Sequence, residues 1–374
     1  MSDSRLPLLS TGSIDSQTSG PRSAPRRSQG HSVESIPACG LHRLTFAFSL
    51  PMLLDLSILE HYSAHLDRRT SINQYFHGVY ASRVLGRELV LAFANSFNWI
   101  GKTFWNAKSS GLMIGWVLTN GISFMVASLL LYRLSVGRNA RLVVPYVTII
   151  VVMAASANVL TPYDALSYVL IIAVFDRAHS RDTWSAIGLM ILATATRESA
   201  LLVVPLMMAT LVDTDAMSSL NTRGRARCLA RTFWSSQITV SLALTGVLTY
   251  AALKLLPLMS AHRFRLVQHV GVSGHLSVGG AVGSAIAVVL VLAVRISLRG
   301  AVDRTRSKVL RWVFWVSATP YLVVCCIWGI WAEAPRLVMP MLLGEFLILT
   351  SSEARQPSPA RTVRGECLFC KYEA

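Results

Sequence analysis

The chain has 374 residues, of which 53% are hydrophobic and only 14% charged, and its mean hydropathy is +0.49. A soluble domain carries about a quarter charged residues, so this deficit, together with repeated long apolar runs, excludes an ordinary soluble enzyme and points to a polytopic membrane protein. The formal charge of +16, from 35 Lys+Arg against 19 Asp+Glu, is not a nucleic-acid signature. Its basic residues fall in short clusters between apolar runs, as the positive-inside rule requires, and no basic stretch interleaves with aromatics. Membrane lipids are the expected surroundings, and no nucleic-acid partner is expected.

In chain order, residues 1–42 are rich in Ser, Pro, Gly and Arg and read as a disordered cytoplasmic tail. A transmembrane helical domain is expected over 43–350, and a second cytoplasmic tail over 351–374. The first span, Leu44 to Leu59, is short and holds Pro51 and Asp55. A first external loop of polar and aromatic character follows over 60–110, with Asp67, Arg68 and Arg69. Within it, Val79 to Ile100 mixes apolar and charged residues at helical spacing, as in a helix lying in the membrane interface. Gly111 to Tyr132, Leu142 to Leu160 and Pro162 to Phe175 are the next spans. Trp184 to Val212 is either one long helix or two short ones broken at Arg197 and Glu198. A loop with Arg223, Arg225, Arg227 and Arg231 then leads to spans at Ile238 to Leu256, Val278 to Leu298, Val309 to Trp331 and Leu337 to Thr350.

Charge parity favours the broken form. With Trp184 to Val212 as a hairpin there are ten spans, both termini are cytoplasmic, and 24 of the 35 Lys+Arg lie inside against 11 outside. A single helix would move the four-arginine loop outside. In the ten-span arrangement Asp67, Glu88, Asp164, Arg197, Glu198, Glu333 and Arg336 all fall at or beyond non-cytoplasmic helix ends. A charge at the centre of a membrane helix costs about 2.5–3.5 kcal/mol, so such residues collect at water-facing ends or line a cavity.

The six cysteines are Cys39, Cys228, Cys325, Cys326, Cys367 and Cys370, none in a segment placed outside the cytoplasm, so no disulfide is expected. Cys367 and Cys370 make one C-x-x-C pair, short of the four ligands of a structural zinc. No metal site and no cofactor is expected. Asp213-Thr214-Asp215 matches a metal-holding D-x-D pattern, but on the cytoplasmic side and at a helix end, where chance explains it. Gly279 and Gly283 have the spacing of close helix packing, and Glu345 is expected to be buried against a neighbour.

Four short motifs carry a resemblance. Tyr80-Ala-Ser-Arg-Val-Leu-Gly-Arg-Glu-Leu, Thr161-Pro-Tyr-Asp-Ala-Leu-Ser-Tyr, Leu192-Ala-Thr-Ala-Thr-Arg-Glu-Ser-Ala-Leu-Leu with Pro205, and Trp331-Ala-Glu-Ala-Pro-Arg-Leu-Val-Met-Pro resemble elements of uncharacterised bacterial polytopic membrane proteins. Those proteins are similar in architecture to GT-C-type glycosyltransferases. The resemblance implies an all-α, GT-C-like transmembrane bundle of about ten spans in a bacterial plasma membrane. It also implies a polyprenyl-phosphate-linked sugar donor and a catalytic carboxylate in the first external loop. Asp67 holds that position, and Glu60 or Asp55 would serve in its place. This sequence departs from the family pattern at Thr196, where Asn is more usual, and by one extra residue between Glu333 and Arg336.

Candidate roles follow from residue chemistry. Asp67 suits a general base, and a loop carboxylate paired with Arg68 or Arg69 is the alternative reading. Arg83 and Arg87, four apart on one helical face, suit a phosphate clamp, with Glu88 balancing them. Snorkelling to lipid headgroups would explain the two arginines as well. Arg197 and Glu198 are adjacent and point about 100° apart on a helix. The arrangement expected is Arg197 with Asp164 and Glu198 with Arg336, while Glu333 and Arg336 are spaced for an ion pair of their own. A transporter or flippase, or an accessory subunit without catalysis, is the alternative to the enzyme.

Overall fold

The structure, a computed structural model, describes residues 83–105, 110–137, 139–156, 164–255, 278–302, 304–321, 323 and 334–353. Asp67, Glu60, Asp55, Glu333, Cys367 and Cys370 lie outside the described residues, as do the expected first span, the N-terminal tail and the C-terminal tail beyond residue 353; residues 351–353, expected in that tail, continue the last helix. Every regular element among the described residues is helical. We number them α1 (Val84–Trp105), α2 (Ser110–Leu134), α3 (Val143–Ser156), α4 (Asp164–His179), α5 (Thr183–Thr196), α6 (Val203–Leu211), α7 (Thr214–Ser219), α8 (Thr222–Ser235), α9 (Gln237–Tyr250), α10 (Val278–Leu298), α11 (Arg304–Ser317) and α12 (Ala334–Glu353). Short 3₁₀ turns precede α3 (Ala140–Leu142) and α6 (Glu198–Leu202), and a π-helical turn, Ala251–Leu255, extends α9.

Local sequence sets most of the boundaries. Asp182 caps α5 by accepting the Ser185 N–H at 3.3 Å, Asn221 caps α8 through the Gly224 N–H at 2.8 Å, and Ser236 caps α9 through Thr239. Asp213 caps α7 by accepting from the N–H groups of Asp215 and Ala216, so the D-x-D pattern is a helix start. α4 begins with Asp164 and ends with Arg177 and His179, the charge order that its dipole favours.

Among the described residues two helices, Gly280–Leu298 within α10 and Ala334–Ser351 within α12, are by length and composition long and apolar enough to cross a membrane. α12 is the hub: Met339, Met341, Leu342, Leu343, Phe346 and Leu347 are all fully enclosed. α10 is its opposite, with Val282, Val288, Val289, Leu292 and Ile296 facing outward. α9 likewise turns Leu244, Val247 and Leu248 outward. Outer faces of this kind, apolar over whole helices, suit a hydrocarbon solvent better than water.

Close approaches hold the bundle. A Cβ on Gly115 of α2 would meet the Val90 carbonyl oxygen of α1 at 2.4 Å, so these two backbones lie in contact. α1 is thus packed along α2, with Val90 and Ala94 buried, rather than lying alone in an interface. Gly344 of α12 leaves room for the Phe314 ring of α11.

The ambiguous piece is broken at Arg197, whose backbone is extended between α5 and the 3₁₀ turn. A Cβ on Gly246 of α9 would meet Met190, with Thr194 close by, and also Leu201. In one straight helix Met190 and Leu201 would be separated by about 16 Å of rise. Both arms therefore flank the same level of α9, and the chain turns back at Arg197. The four arginines from Arg223 to Arg231 lie on a helix, α8, where the sequence reading has a loop.

Candidate functional site

Several helix ends converge on one end of the bundle. Arg83 stands just before α1, Asp164 opens α4, Arg197 lies at the break after α5, Glu198 opens the following 3₁₀ turn, and Arg336 sits in the first turn of α12. The helix starts bring their unpaired N–H groups and positive dipole ends to the same place.

The side chains form a linked series. Arg197 donates through Nη1 to Asp164 Oδ1, and Arg336 approaches Asp164 Oδ2 through Nε at 3.2 Å, so one carboxylate serves two guanidiniums. Arg197 and Asp164 are each 2% exposed and Arg336 is 3%. Such charges are tolerated only when paired and hydrogen-bonded. Next to them, Arg83 Nη2 donates to Glu198 Oε1 at 2.5 Å. This second pair is more open, because the Glu198 side chain is 30% exposed. Tyr168 stands within electrostatic range of Asp164, Arg197 and Arg336, and Tyr250 within range of Glu198 and Arg83. Tyr321, within range of Arg197, also donates its hydroxyl to the Leu337 carbonyl at 3.4 Å.

Five of the candidate residues therefore come together: Arg83, Asp164, Arg197, Glu198 and Arg336. The expected Arg197–Asp164 pair is present. The expected Glu198–Arg336 pair is replaced, Glu198 taking Arg83 and Arg336 taking Asp164. The reason is position: Arg336 reaches the enclosed carboxylate at the start of α4, while Glu198, pointing away from Arg197, meets the residue before α1. Arg83 stands one residue before the helix and is engaged by Glu198. Arg87 follows in the first turn of α1, its side chain outside the described part, and Glu88 is exposed. Asp67 and Glu333 lie outside the described residues.

A second buried carboxylate occupies the body of the bundle. Glu345 of α12 accepts the indole N–H of Trp315 at 3.0 Å, with Arg295 of α10 and Arg311 of α11 each at 3.6 Å. The sequence places Glu345 against a neighbour without naming these partners. The signal was Arg295 and Arg311 at the inner edges of apolar runs. Among the described residues no group of three or more His, Cys, Asp or Glu side chains could hold a metal ion.

Compared with protein-family models, curated proteins and solved structures, the chain finds no match.

Proposed function

We propose that this chain is an integral membrane glycosyltransferase of GT-C type. It sits as a bundle of about ten spans in a bacterial plasma membrane, with both termini cytoplasmic. It moves a sugar from a polyprenyl-phosphate carrier to an acceptor hydroxyl outside the cytoplasm. One observation carries the reading: three arginines and two carboxylates from four distant parts of the sequence gather at one end of an apolar helical bundle. Intramembrane charge of this kind is a functional signal by default.

In this account the acceptor oxygen bonds to the anomeric carbon of the donor as that carbon's bond to the phosphate oxygen breaks. The acceptor proton passes to the carboxylate of Asp67, and the carrier phosphate departs with the bonding electrons as an anion. Arg83 and Arg87 stabilise that anion, a charge that develops only as the bond breaks. Glu198 aims Arg83. Behind them Asp164, Arg197 and Arg336 fix the helix starts that carry the site.

The test is incorporation of labelled sugar from a panel of lipid carriers, in membranes with and without the protein. Transfer that depends on the wild type is expected, and Asp67→Asn, which keeps size while removing the base, lowers it by about 10²–10⁴-fold. Unchanged transfer with Asp67→Asn and with Glu60→Gln rejects the base assignment. A second reading, a transporter of a lipid-linked or small polar substrate, draws on the helix broken at Arg197, since transporters place substrates at such breaks. Uptake or flipping without transfer is its distinguishing outcome.

A further inference from the structure

The opposite end of the bundle carries a second candidate site. α8 holds Arg223, Arg225, Arg227 and Arg231 in fourteen residues and no acid. Arg223, Arg227 and Arg231 recur every four residues and are exposed, so they form one stripe along the helix. Trp234, 73% exposed, continues that stripe at the end where α8 meets α9. Between the two helices the chain bends by 82°. With α9 along the membrane normal, α8 lies in the plane of the surface, its cationic stripe and terminal indole at headgroup depth.

Arg225 points the other way. Its guanidinium lies over the Trp312 ring at 5.5 Å, and it is held from behind by the carbonyls of Leu220 at 2.9 Å and Ser218 at 3.4 Å. It borders a cavity of about 270 Å³ between α7, α8 and α11, lined by Met217, Ser218, Arg225, Lys308, Val309 and Trp312. Neither Arg225 nor Lys308 meets a carboxylate among the described residues. The nearby Asp213 is committed to capping α7. Two cations set against an apolar wall, on the surface helix of a membrane bundle, match one ligand chemistry.

We propose that this cavity binds the phosphate of an anionic phospholipid, between Arg225 and Lys308, with the glycerol and first acyl carbons against Met217, Val309 and Trp312. The charge stripe of α8 and the indole of Trp234 assign the phosphate to a lipid rather than to a soluble anion. This inference rests on the membrane placement and not on sugar transfer.

The experiment uses the full chain in a neutral detergent, titrated with short-chain phosphatidylglycerol, phosphatidylcholine of the same chains, and inorganic phosphate. Phosphatidylglycerol is expected to bind at least tenfold tighter than phosphatidylcholine. Lys308→Gln, a change at an exposed side chain, weakens it about fivefold, and Arg225→Gln with Lys308→Gln about 25-fold, from the worth of one basic residue at an anionic surface. Equal binding of the two lipids, or no change with Lys308→Gln, overturns the proposal. Displacement by inorganic phosphate as effective as by the lipid assigns the site to a soluble anion and likewise overturns it. Resistance of the protein to carbonate extraction from membranes checks the placement separately, so its failure is distinguishable from loss of lipid selectivity.

Discussion

Asp164 receives two guanidiniums, Arg197 and Arg336, in a place with almost no water access. Removing that one carboxylate leaves two positive charges facing a neutral amide, which is worse than losing either arginine. Asp164→Asn is therefore expected to cost about 3–5 kcal/mol, and Asp164→Asn combined with Arg336→Met to recover part of it. Folded yield after detergent extraction measures both; a double variant no better than the single would show the charges to be uncoupled. A different logic governs Asp182, on the turn between α4 and α5. The Ser185 hydroxyl, then its backbone N–H, holds this carboxyl below its ordinary value. A depressed carboxylate adds stability above its unfolded value, near pH 4, and that stability is lost as pH falls through the lower folded value. Asp182→Ala is expected to melt below wild type at neutral pH, the gap closing under more acidic conditions in thermal scans.

The turn between α4 and α5 shows how elements are stopped. The Asp182 N–H donates to the Arg177 carbonyl at 3.0 Å and the Arg181 N–H to the Ala178 carbonyl at 3.1 Å, the two bonds of a Schellman ending. Its left-handed position, usually glycine, holds Arg181 with φ 62°. Arg181→Gly is expected to raise stability by about 1 kcal/mol; an unchanged or lowered melting temperature would count against a strained turn. The contact of α1 with α2 predicts the opposite sign. A methyl at Gly115 presses on backbone, which cannot rotate away as a side chain does, so Gly115→Ala is expected to cost about 1–3 kcal/mol. Several helices are legible in the sequence because apolar runs of helical length stand between polar turns: α10 covers the same residues, Val278–Leu298, as the expected span. The basic loop was misread because four arginines outweigh Leu229, Phe233 and Trp234 in any local average, although a repeat every four residues is a helical period. The residues meeting at the site were legible as charges at helix ends. Their pairing was not, because Arg83 and Glu198 lie 115 residues apart and nothing local records which two ends touch.

Across the whole molecule the ends differ in kind. α4, α6 and α12 start at the Arg–Asp–Arg network, while α5, α9 and α11 start at the other end, among Asp182, the arginines of α8 and Arg304. The 20-residue α12 spans about 30 Å, the thickness of a hydrocarbon core. If the basic end is cytoplasmic, Cys228 on α8 resists an impermeant thiol reagent in intact cells and reacts once they are opened; labelling from outside would reverse the orientation. On the proposed function the other end is a substrate site and not a structural clasp. Arg83 separates the two, since it belongs to the more open pair and Gln keeps a hydrogen bond to Glu198 while removing the charge. In membranes holding equal amounts of folded protein, sugar transfer from the polyprenyl-phosphate carrier by Arg83→Gln is predicted to fall about 10²–10³-fold below wild type. Transfer within about twofold of wild type, where a factor of two is less than 0.5 kcal/mol, would contradict the account.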